Sequence, residues 1–263
     1  MRAHVVLLAV TLMKTGVCIA GVQHDAPSTW LRPVRDFGSI LLGDITYPPT
    51  PATPASSGTH PAPPAPRDPS ALRPRHVMRP FDIAAFDLAH ARHTPPHAED
   101  WACDFVHQRP RLIGVLPESD RAALLDAAAT DPAALWSGSR SLGALAVDTL
   151  TATFRHDPYS GKYDARLAFL GLPDDTATAA CTDLKWRALG RRLLAAHTPP
   201  GDAPDAPRTL TLSSDRLWEA LGGPRRCWLA LGISRAYDGR HWPLVVGVHT
   251  IPDYEAEVDY NVL

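Results

Sequence analysis

Apolar residues dominate the first part of the chain and predict paired β-strands there. Residues 4–22 are almost wholly apolar, with a polar break at Lys14-Thr15-Gly16. β-Branched and apolar residues on both sides of such a turn favour a buried hairpin with strands at 5–11 and 17–22. A secretory signal is the alternative interpretation. Lys14 argues against it by ending the apolar run after about ten residues, and no small-residue cleavage site follows.

Short apolar or alternating runs predict most of the remaining strands. We expect strands at 29–34, 112–116, 145–155 and 162–170, and ordered sequence that resumes at 81–86. In the first of these, Trp30 and Arg32 share one face, and Pro33 is expected to end the strand or place it at a sheet edge. The runs 227–234 and 242–250 flank Tyr237-Asp238-Gly239, and an Asp-Gly pair between apolar runs predicts a hairpin.

Helices are predicted at three places. Pro117 introduces a helical stretch that Ser119 could cap, and Asp131-Pro132 starts a second turn near Trp136. Thr182 or Asp183 is expected to cap a longer helix that ends near residue 197. Its apolar positions fall on one face, as in an amphipathic helix.

Acidic and apolar residues alternate from residue 253 to residue 260. Asp253, Glu255, Glu257 and Asp259 fall on one face of a predicted strand, with apolar residues on the other. The four carboxylates could hold a divalent cation. A solvated face, an edge-protecting face or pairing with arginines is the simpler interpretation.

Two proline-rich segments interrupt the chain and indicate its domain organisation. Of the chain's 27 prolines, 11 lie within the 33 residues 48–80, and a shorter proline-rich linker follows at 198–207. Such sequence cannot form regular structure, so we interpret 48–80 as a disordered insertion. The rest predicts a mainly β fold with helical insertions, a β-rich α+β protein of two small mixed barrels.

Charge and cysteine exclude some classes of protein. Lys+Arg number 26 and Asp+Glu 28, so bulk positive charge cannot drive nucleic-acid binding as in a histone. Nearly all the positive charge is arginine, which reflects either a GC-rich genome or bidentate phosphate contacts. The four cysteines have no paired metal spacing and predict free thiols in a reducing, cytoplasmic protein with no metal or cofactor.

Several motifs together resemble the dual OB-containing domain family of bacteria. They are Val17-Cys18-Ile19-Ala20-Gly21, Trp30-Leu31-Arg32-Pro33-Val34, Phe81-Asp82-Ile83, His97-Ala98-Glu99-Asp100-Trp101, Thr182-Asp183-Leu184-Lys185-Trp186, Trp228-Leu229-Ala230-Leu231-Gly232-Ile233-Ser234-Arg235 and Val245-Val246-Gly247-Val248-His249. The resemblance implies two tandem OB-like barrels at 1–117 and 140–263, with a helical connector at 118–139. It also implies recognition of nucleic acid or nucleotides in bacterial conflict or defence systems. The proline-rich insertion is longer than the resemblance leads us to expect.

OB barrels stack bases on aromatic side chains and follow phosphates with basic groups. That composition makes Trp30 with Arg32, and Trp186 with Lys185 and Arg187, candidate contacts. Ser234, Arg235 and Trp242, at the ends of the last hairpin, complete the set of candidates for binding single-stranded nucleic acid or a nucleotide. Each residue could instead have a purely structural role. Tryptophan side chains, for example, usually fill cores. A buried Arg32 would need either a carboxylate or a phosphate as its partner.

Catalysis is not indicated by any motif. The chain lacks a P-loop, a strand-linked GxGxxG, a GxSxG elbow and HExxH. We therefore expect a non-catalytic binding module that does not enter membranes. The main alternative is a scaffold that docks protein partners encoded nearby through its barrels and proline-rich arm. A Mg²⁺-dependent hydrolase using the C-terminal carboxylates is a weaker alternative.

Overall fold

A computed structural model gives the structure of this protein and describes residues 1–13, 15–47, 77–197 and 206–260. The described residues form thirteen β-strands and four short α-helices, so the expected mainly β class is confirmed. Most of the proline-rich sequence at 48–80 and 198–207 lies outside the described residues. All four cysteines are free thiols, as expected.

The first sheet is a ring of five strands with a sixth at its side. Its strands are β1 (Arg2–Met13), β2 (Gly16–Gln23), β3 (Ala26–Val34), β4 (Asp82–Ala91), β5 (Asp100–Cys103) and β6 (Arg111–Val115). The strand order is β1-β2-β3-β5-β4-β6, and an additional β1–β4 pairing closes the ring. β3 and β5 run parallel, whereas the other pairs are antiparallel.

The predicted N-terminal hairpin is confirmed as β1 and β2. The alternating side chains of β1 divide between two apolar clusters. Val5 and Leu7 fill the core inside the ring, whereas Val6 and Leu8 pack on its outside. Pro33 neither ends β3 nor lies at an edge, because it pairs with Trp101 of β5. β3 pairs with β2 up to Leu31 and with β5 from Arg32 onward. Pro33, which has no N–H to donate, is tolerated at this change of partner strand.

Two helices connect the sheets. They are α1 (Glu118–Ala127) and α2 (Pro132–Trp136). The N-cap of α1 is Pro117, so Ser119 lies inside the helix and does not cap it. Asp131 does cap α2, since its carboxylate accepts a hydrogen bond from the Ala133 amide.

The second sheet has seven strands. Its elements are β7 (Leu142–Ala146), β8 (Thr151–Asp157), β9 (Lys162–Ala168), β10 (Ala179–Cys181), α3 (Leu184–Ala196), β11 (Arg208–Leu212), α4 (Ser214–Ala220), β12 (Arg226–Ile233) and β13 (Pro243–Ile251). The strand order is β11-β8-β9-β10-β13-β12-β7. The predicted C-terminal hairpin is confirmed as β12 and β13.

The predicted single strand at 145–155 is instead two strands with different partners. β7 pairs with β12, whereas β8 pairs with β9 and β11. Taken as one interrupted strand, β7 and β8 pair with β9 and β12, which correspond to the neighbours β2 and β4 of β1. The additional neighbour β11 has no counterpart among the pairings of β1. The parallel pair β10–β13 then corresponds to β3–β5. The two halves of the chain therefore share one pattern of strand connection.

Asp183 begins α3 and also ties it to the sheet. One carboxylate oxygen accepts hydrogen bonds from the Lys185 and Trp186 amides, and the other accepts from the Val248 amide of β13. This confirms the predicted cap. Gly190 lets the helix lie close to the sheet, because a Cβ at that position would stand 2.2 Å from Phe154.

The two sheets pack directly against each other. Val6, Leu8 and Trp30 from the first sheet share an apolar cluster with Trp228 and Val246 from the second. The Leu12 amide donates to the Thr182 carbonyl at 2.9 Å and adds a hydrogen bond across the interface. These contacts fix the sheets relative to each other, so side chains from both can form one site.

The C-terminal segment 253–260 is not the predicted strand, because it pairs with no described strand. The two-faced pattern is nevertheless present. Tyr254 is buried in the core of the second sheet, whereas Val258 and Tyr260 pack against the core of the first. Glu255 and Glu257 are exposed on the opposite face. The segment is therefore an extended strap that spans both halves.

Candidate ligand-binding cavity between the two sheets

A cavity of about 410 Å³ lies where the first sheet meets the β12–β13 loop. Its wall includes Cys18 and Ala20 of β2 and Arg32 of β3. Three residues of the β4–β5 loop also line it: Arg92, Thr94 and His97. Ser234 and Arg235, at the start of the β12–β13 loop, contribute the opposite wall. The fold therefore brings together residues about two hundred positions apart in sequence, and we refer to this space as the inter-sheet cavity.

Two arginines in the cavity share one carboxylate. Arg32 donates from Nε to Asp100 Oδ1 at 2.5 Å, and Arg235 donates from Nη2 to Asp100 Oδ2 at 3.4 Å. Arg32 is only 9% exposed, yet its Nη2 has no hydrogen-bond partner among the described residues. Since two cations face one anion, this cluster keeps an excess positive charge and an unused donor.

Glu99 holds the β4–β5 loop in place. Its buried carboxylate accepts hydrogen bonds from the Ser141 amide and hydroxyl and from the Leu142 amide. Arg140 lies 3.9 Å from the same carboxylate. The neighbouring residues Asp100 and His97 are thereby anchored to the start of the second sheet.

His97 adds a second unsatisfied group to the cavity. Its side chain is 3% exposed, and neither ring nitrogen has a hydrogen-bond partner among the described residues. Burial, together with the positive charges of Arg32 and Arg235, lowers the pKa of His97 to about 4. The ring is therefore neutral at pH 7, with one donor and one acceptor nitrogen. A buried polar group without a partner is costly, which favours a bound ligand or water beside it.

Two further arginines line the cavity, and one of them has no carboxylate partner. Arg35 pairs with Asp44 at 2.6 Å. Arg92 donates only to the backbone carbonyls of Arg35 and Asp36, so no carboxylate lies within 4 Å of it among the described residues. The four lining arginines are opposed by Asp36, Asp100 and the Arg35 partner Asp44, so one net positive charge remains and the cavity attracts anions.

Exposed aromatic side chains lie beside the cavity. Phe37 is 91% exposed and lies between two lining residues, Asp36 and Gly38. Trp242 is partly exposed, and its amide donates to Ser234 Oγ at 2.8 Å. The Arg240 guanidinium stands 4.7 Å from the Trp242 ring. An exposed ring next to cationic groups can stack on a nucleobase.

Three of the predicted site residues, Arg32, Ser234 and Arg235, meet at the inter-sheet cavity, and Trp242 lies beside it. Trp30 and Trp186 are buried in apolar clusters, so neither ring offers a face to a base. Lys185 is bonded to Asp253 at 2.7 Å, and Arg187 lies over the Tyr163 ring. These last two residues are therefore separate from the inter-sheet cavity.

Sequence reasoning missed His97 and Phe37 as site residues. His97, Glu99 and Asp100 appear in the sequence only as members of one motif. The Glu99 carboxylate accepts from amides more than forty positions away, which the local sequence does not indicate. No sequence signal marks Phe37, because its exposure is known only from the structure, and an exposed aromatic does not by itself indicate a site.

A second cavity lies beneath the C-terminal strap. Its volume is about 970 Å³, and Arg121, Lys185 and Arg192 line it. Asp253 of the strap pairs with Lys185 and stands 3.6 Å from Arg121. The strap thus already supplies an anion to these cations, which makes this cavity the weaker candidate.

Comparison with protein family models, with curated proteins and with solved structures found no match. The structure adds two observations. No helix in the described residues has the length and apolar character that a bilayer crossing needs; the longest, α3, has 13 residues. Among the same residues, no group of three or more His, Cys, Asp or Glu side chains is placed to hold a metal ion.

Proposed function

We propose that this chain is a non-catalytic module of two OB-type barrels that binds single-stranded nucleic acid or a nucleotide in the inter-sheet cavity. The pattern of strand connection supports the OB assignment. An OB-fold is a five-stranded, partly open Greek-key barrel. The ring β1-β2-β3-β5-β4, closed by β1–β4 and containing one parallel pair, fits that description. The second sheet repeats the order when β7 and β8 are counted as one strand and the additional strand β11 is left out.

The position of the cavity supports the binding role. OB-folds bind oligonucleotides on the face of their second and third strands and with the loops after the first and fourth strands. The inter-sheet cavity has β2 and β3 in its wall, and it has the β4–β5 loop of one proposed barrel facing the corresponding β12–β13 loop of the other. Both surfaces used by an OB-fold therefore contribute to one space.

One observation carries the proposal. Arg32 and Arg235 converge on a single carboxylate beside the unpartnered ring of His97. A phosphate oxygen is an acceptor that satisfies Arg32 Nη2 and a His97 N–H at once, and arginine's fixed fork suits phosphate. The role in a bacterial conflict or defence system is an expectation from the family resemblance.

Fluorescence anisotropy with a labelled single-stranded oligonucleotide tests this function. Binding is expected to weaken steeply with salt, because phosphate contacts release counterions. Arg235→Gln is expected to reduce the affinity by about tenfold. Arg226→Gln is the matched control, since Arg226 is a partly exposed arginine that pairs with Asp126 on α1. If no single strand or nucleotide binds in a salt-sensitive way, the proposal is wrong.

The absorbance ratio and mass spectrum of the purified protein add an independent test, because a retained nucleotide is visible in both.

A scaffold role is the second candidate, and the edge strand β6 favours it. β6 pairs only with β4 among the described strands, and its Leu112, Ile113 and Val115 are exposed. An open apolar edge can pair with a strand of another protein. A partner that co-purifies after nuclease treatment would support this role, and loss of the partner with nuclease would support nucleic-acid binding.

A further inference from the structure

One side of the inter-sheet cavity is apolar. Ala9, Ala20, Leu142, Leu244 and Val246 line it, and all five belong to or pack against the apolar cluster that joins the two sheets. These side chains carry no hydrogen-bond donor, so a phosphate is held by the polar side, where Arg32, His97 and Arg235 lie.

The cationic groups lie at different depths. Arg32 and His97 are buried, whereas the side chain of Arg235 is 66% exposed. A phosphate that reaches Arg32 Nη2 therefore lies deeper below the surface than one that contacts Arg235 alone. An internal phosphodiester carries a nucleotide on each side, and both would have to fit with it into about 410 Å³. A terminal phosphate projects from one side only.

The number of donors also favours a terminal group. Arg32 Nη2 and the His97 ring have no hydrogen-bond partner among the described residues, and Arg235 makes one contact of 3.4 Å to Asp100. A phosphomonoester has three terminal oxygens, which can accept from Arg32, His97 and Arg235 together, whereas an internal diester has two.

We infer that the inter-sheet cavity recognises a terminal phosphomonoester, either of a free nucleotide or of a strand end, and not an internal phosphodiester. This inference rests on the proposed function and specifies its ligand. The phosphate lies between Arg32 and Arg235, and the attached nucleoside lies toward the opening near Phe37 and Trp242.

Oligonucleotides that differ only at their ends test the inference. One labelled single strand is prepared with a 5′-phosphate, with a 3′-phosphate and with hydroxyl groups at both ends, and anisotropy gives the affinity of each. At least one phosphorylated form is expected to bind about tenfold more tightly than the hydroxyl form. Arg235→Gln is expected to abolish that difference, whereas Arg226→Gln keeps it.

Competition with free compounds distinguishes the two sources of the phosphate. A nucleoside monophosphate that displaces the phosphorylated strand, when the nucleoside does not, indicates that a free nucleotide suffices. Displacement only by phosphorylated strands indicates a strand end, and either result supports the inference. Equal, salt-sensitive binding of phosphorylated and hydroxyl strands would overturn the inference but leave nucleic-acid binding in place. Failure of every strand and nucleotide to bind would overturn both.

Discussion

Arg32 and Asp100 are direct partners in the parallel β3–β5 pairing, and their side chains form a buried ion pair, with Nε and Oδ1 2.5 Å apart. The pair thus lies on the ladder that helps to close the first sheet into a ring. It also faces the inter-sheet cavity. One contact therefore serves both the fold and the proposed site.

Replacing Asp100 separates these two roles. Asp100→Asn removes the carboxylate shared by Arg32 and Arg235, so the free energy of unfolding is expected to fall by about 3–5 kcal/mol. The affinity for a single-stranded oligonucleotide is expected to rise by about three- to tenfold, because a competing anion is lost. Denaturant unfolding and anisotropy measure the two effects. Asp126→Asn, in the more exposed pair with Arg226, is the control. The asparagine Oδ1 can still accept from the buried Trp228 Nε1, so both quantities are expected to change little. Weaker binding by Asp100→Asn would contradict the assignment.

Stability is expected to depend on pH through three buried groups. Burial lowers the pKa of His97 and of His249 to about 4, and burial raises the pKa of Asp183 to about 6. Below pH 6.5 the unfolded chain takes up protons that the folded histidines do not, so their contribution is lost as the pH falls toward 4. Asp183 acts in the opposite direction between pH 6 and 4. The two histidines together change the free energy of unfolding more than Asp183 does. This free energy is therefore expected to fall by about 3 kcal/mol from pH 7 to 4 through these groups.

His249→Gln tests this account. His249 donates from Nε2 to the Leu8 carbonyl across the interface. Burial, Lys185 and Arg121 lower its pKa, whereas the hydrogen bond to Leu8 and the charge of Asp253 oppose the lowering. A glutamine amide can replace the donor but does not titrate. Chemical denaturation at several pH values is expected to show a smaller loss of stability in the variant. An unchanged loss would show that His249 is not responsible.

The C-terminal strap is expected to stabilise the protein through one residue. Tyr254 is buried, and its ring centre lies 5.9 Å from that of Trp186. Tyr254→Ala is therefore expected to cost about 3–5 kcal/mol, as for other large aromatic residues in a core. Glu255→Ala, at the next and exposed position, is expected to stay within about 0.5 kcal/mol. Thermal unfolding compares the two, and similar losses would contradict the burial pattern.

Local patterns in the sequence predicted local structure well. The turn at residues 14–16 predicted the first hairpin, and Asp183 predicted the start of α3. The same patterns do not specify distant partners. Alternation at 253–260 predicted two faces correctly, but a strand also needs a neighbour to pair with, and no described strand lies there. The change of partner between β7 and β8 was hidden for the same reason, because an apolar run does not indicate which strand it joins.

In the candidate cavity, too, the sequence predicted local features but not long-range contacts. Arginine next to a buried tryptophan predicted that Arg32 needs a partner, and the structure supplies Asp100. The approach of Arg32, His97 and Arg235 depends on the β3–β5 pairing and on the packing of the two sheets, both long-range contacts. Burial of Trp30 and Trp186 likewise depends on which face of each element is covered. Composition alone does not determine that.

NMR of the histidine side chains tests the central claim most directly. The ring of His97 lines the inter-sheet cavity, whereas the equally buried ring of His249 lies elsewhere and is bonded to Leu8. During titration with a 5′-phosphorylated single strand, the His97 ring signals are expected to shift and saturate, and those of His249 are expected to stay in place. A strand that binds without moving the His97 signals, or that moves both histidines alike, would contradict binding in the inter-sheet cavity.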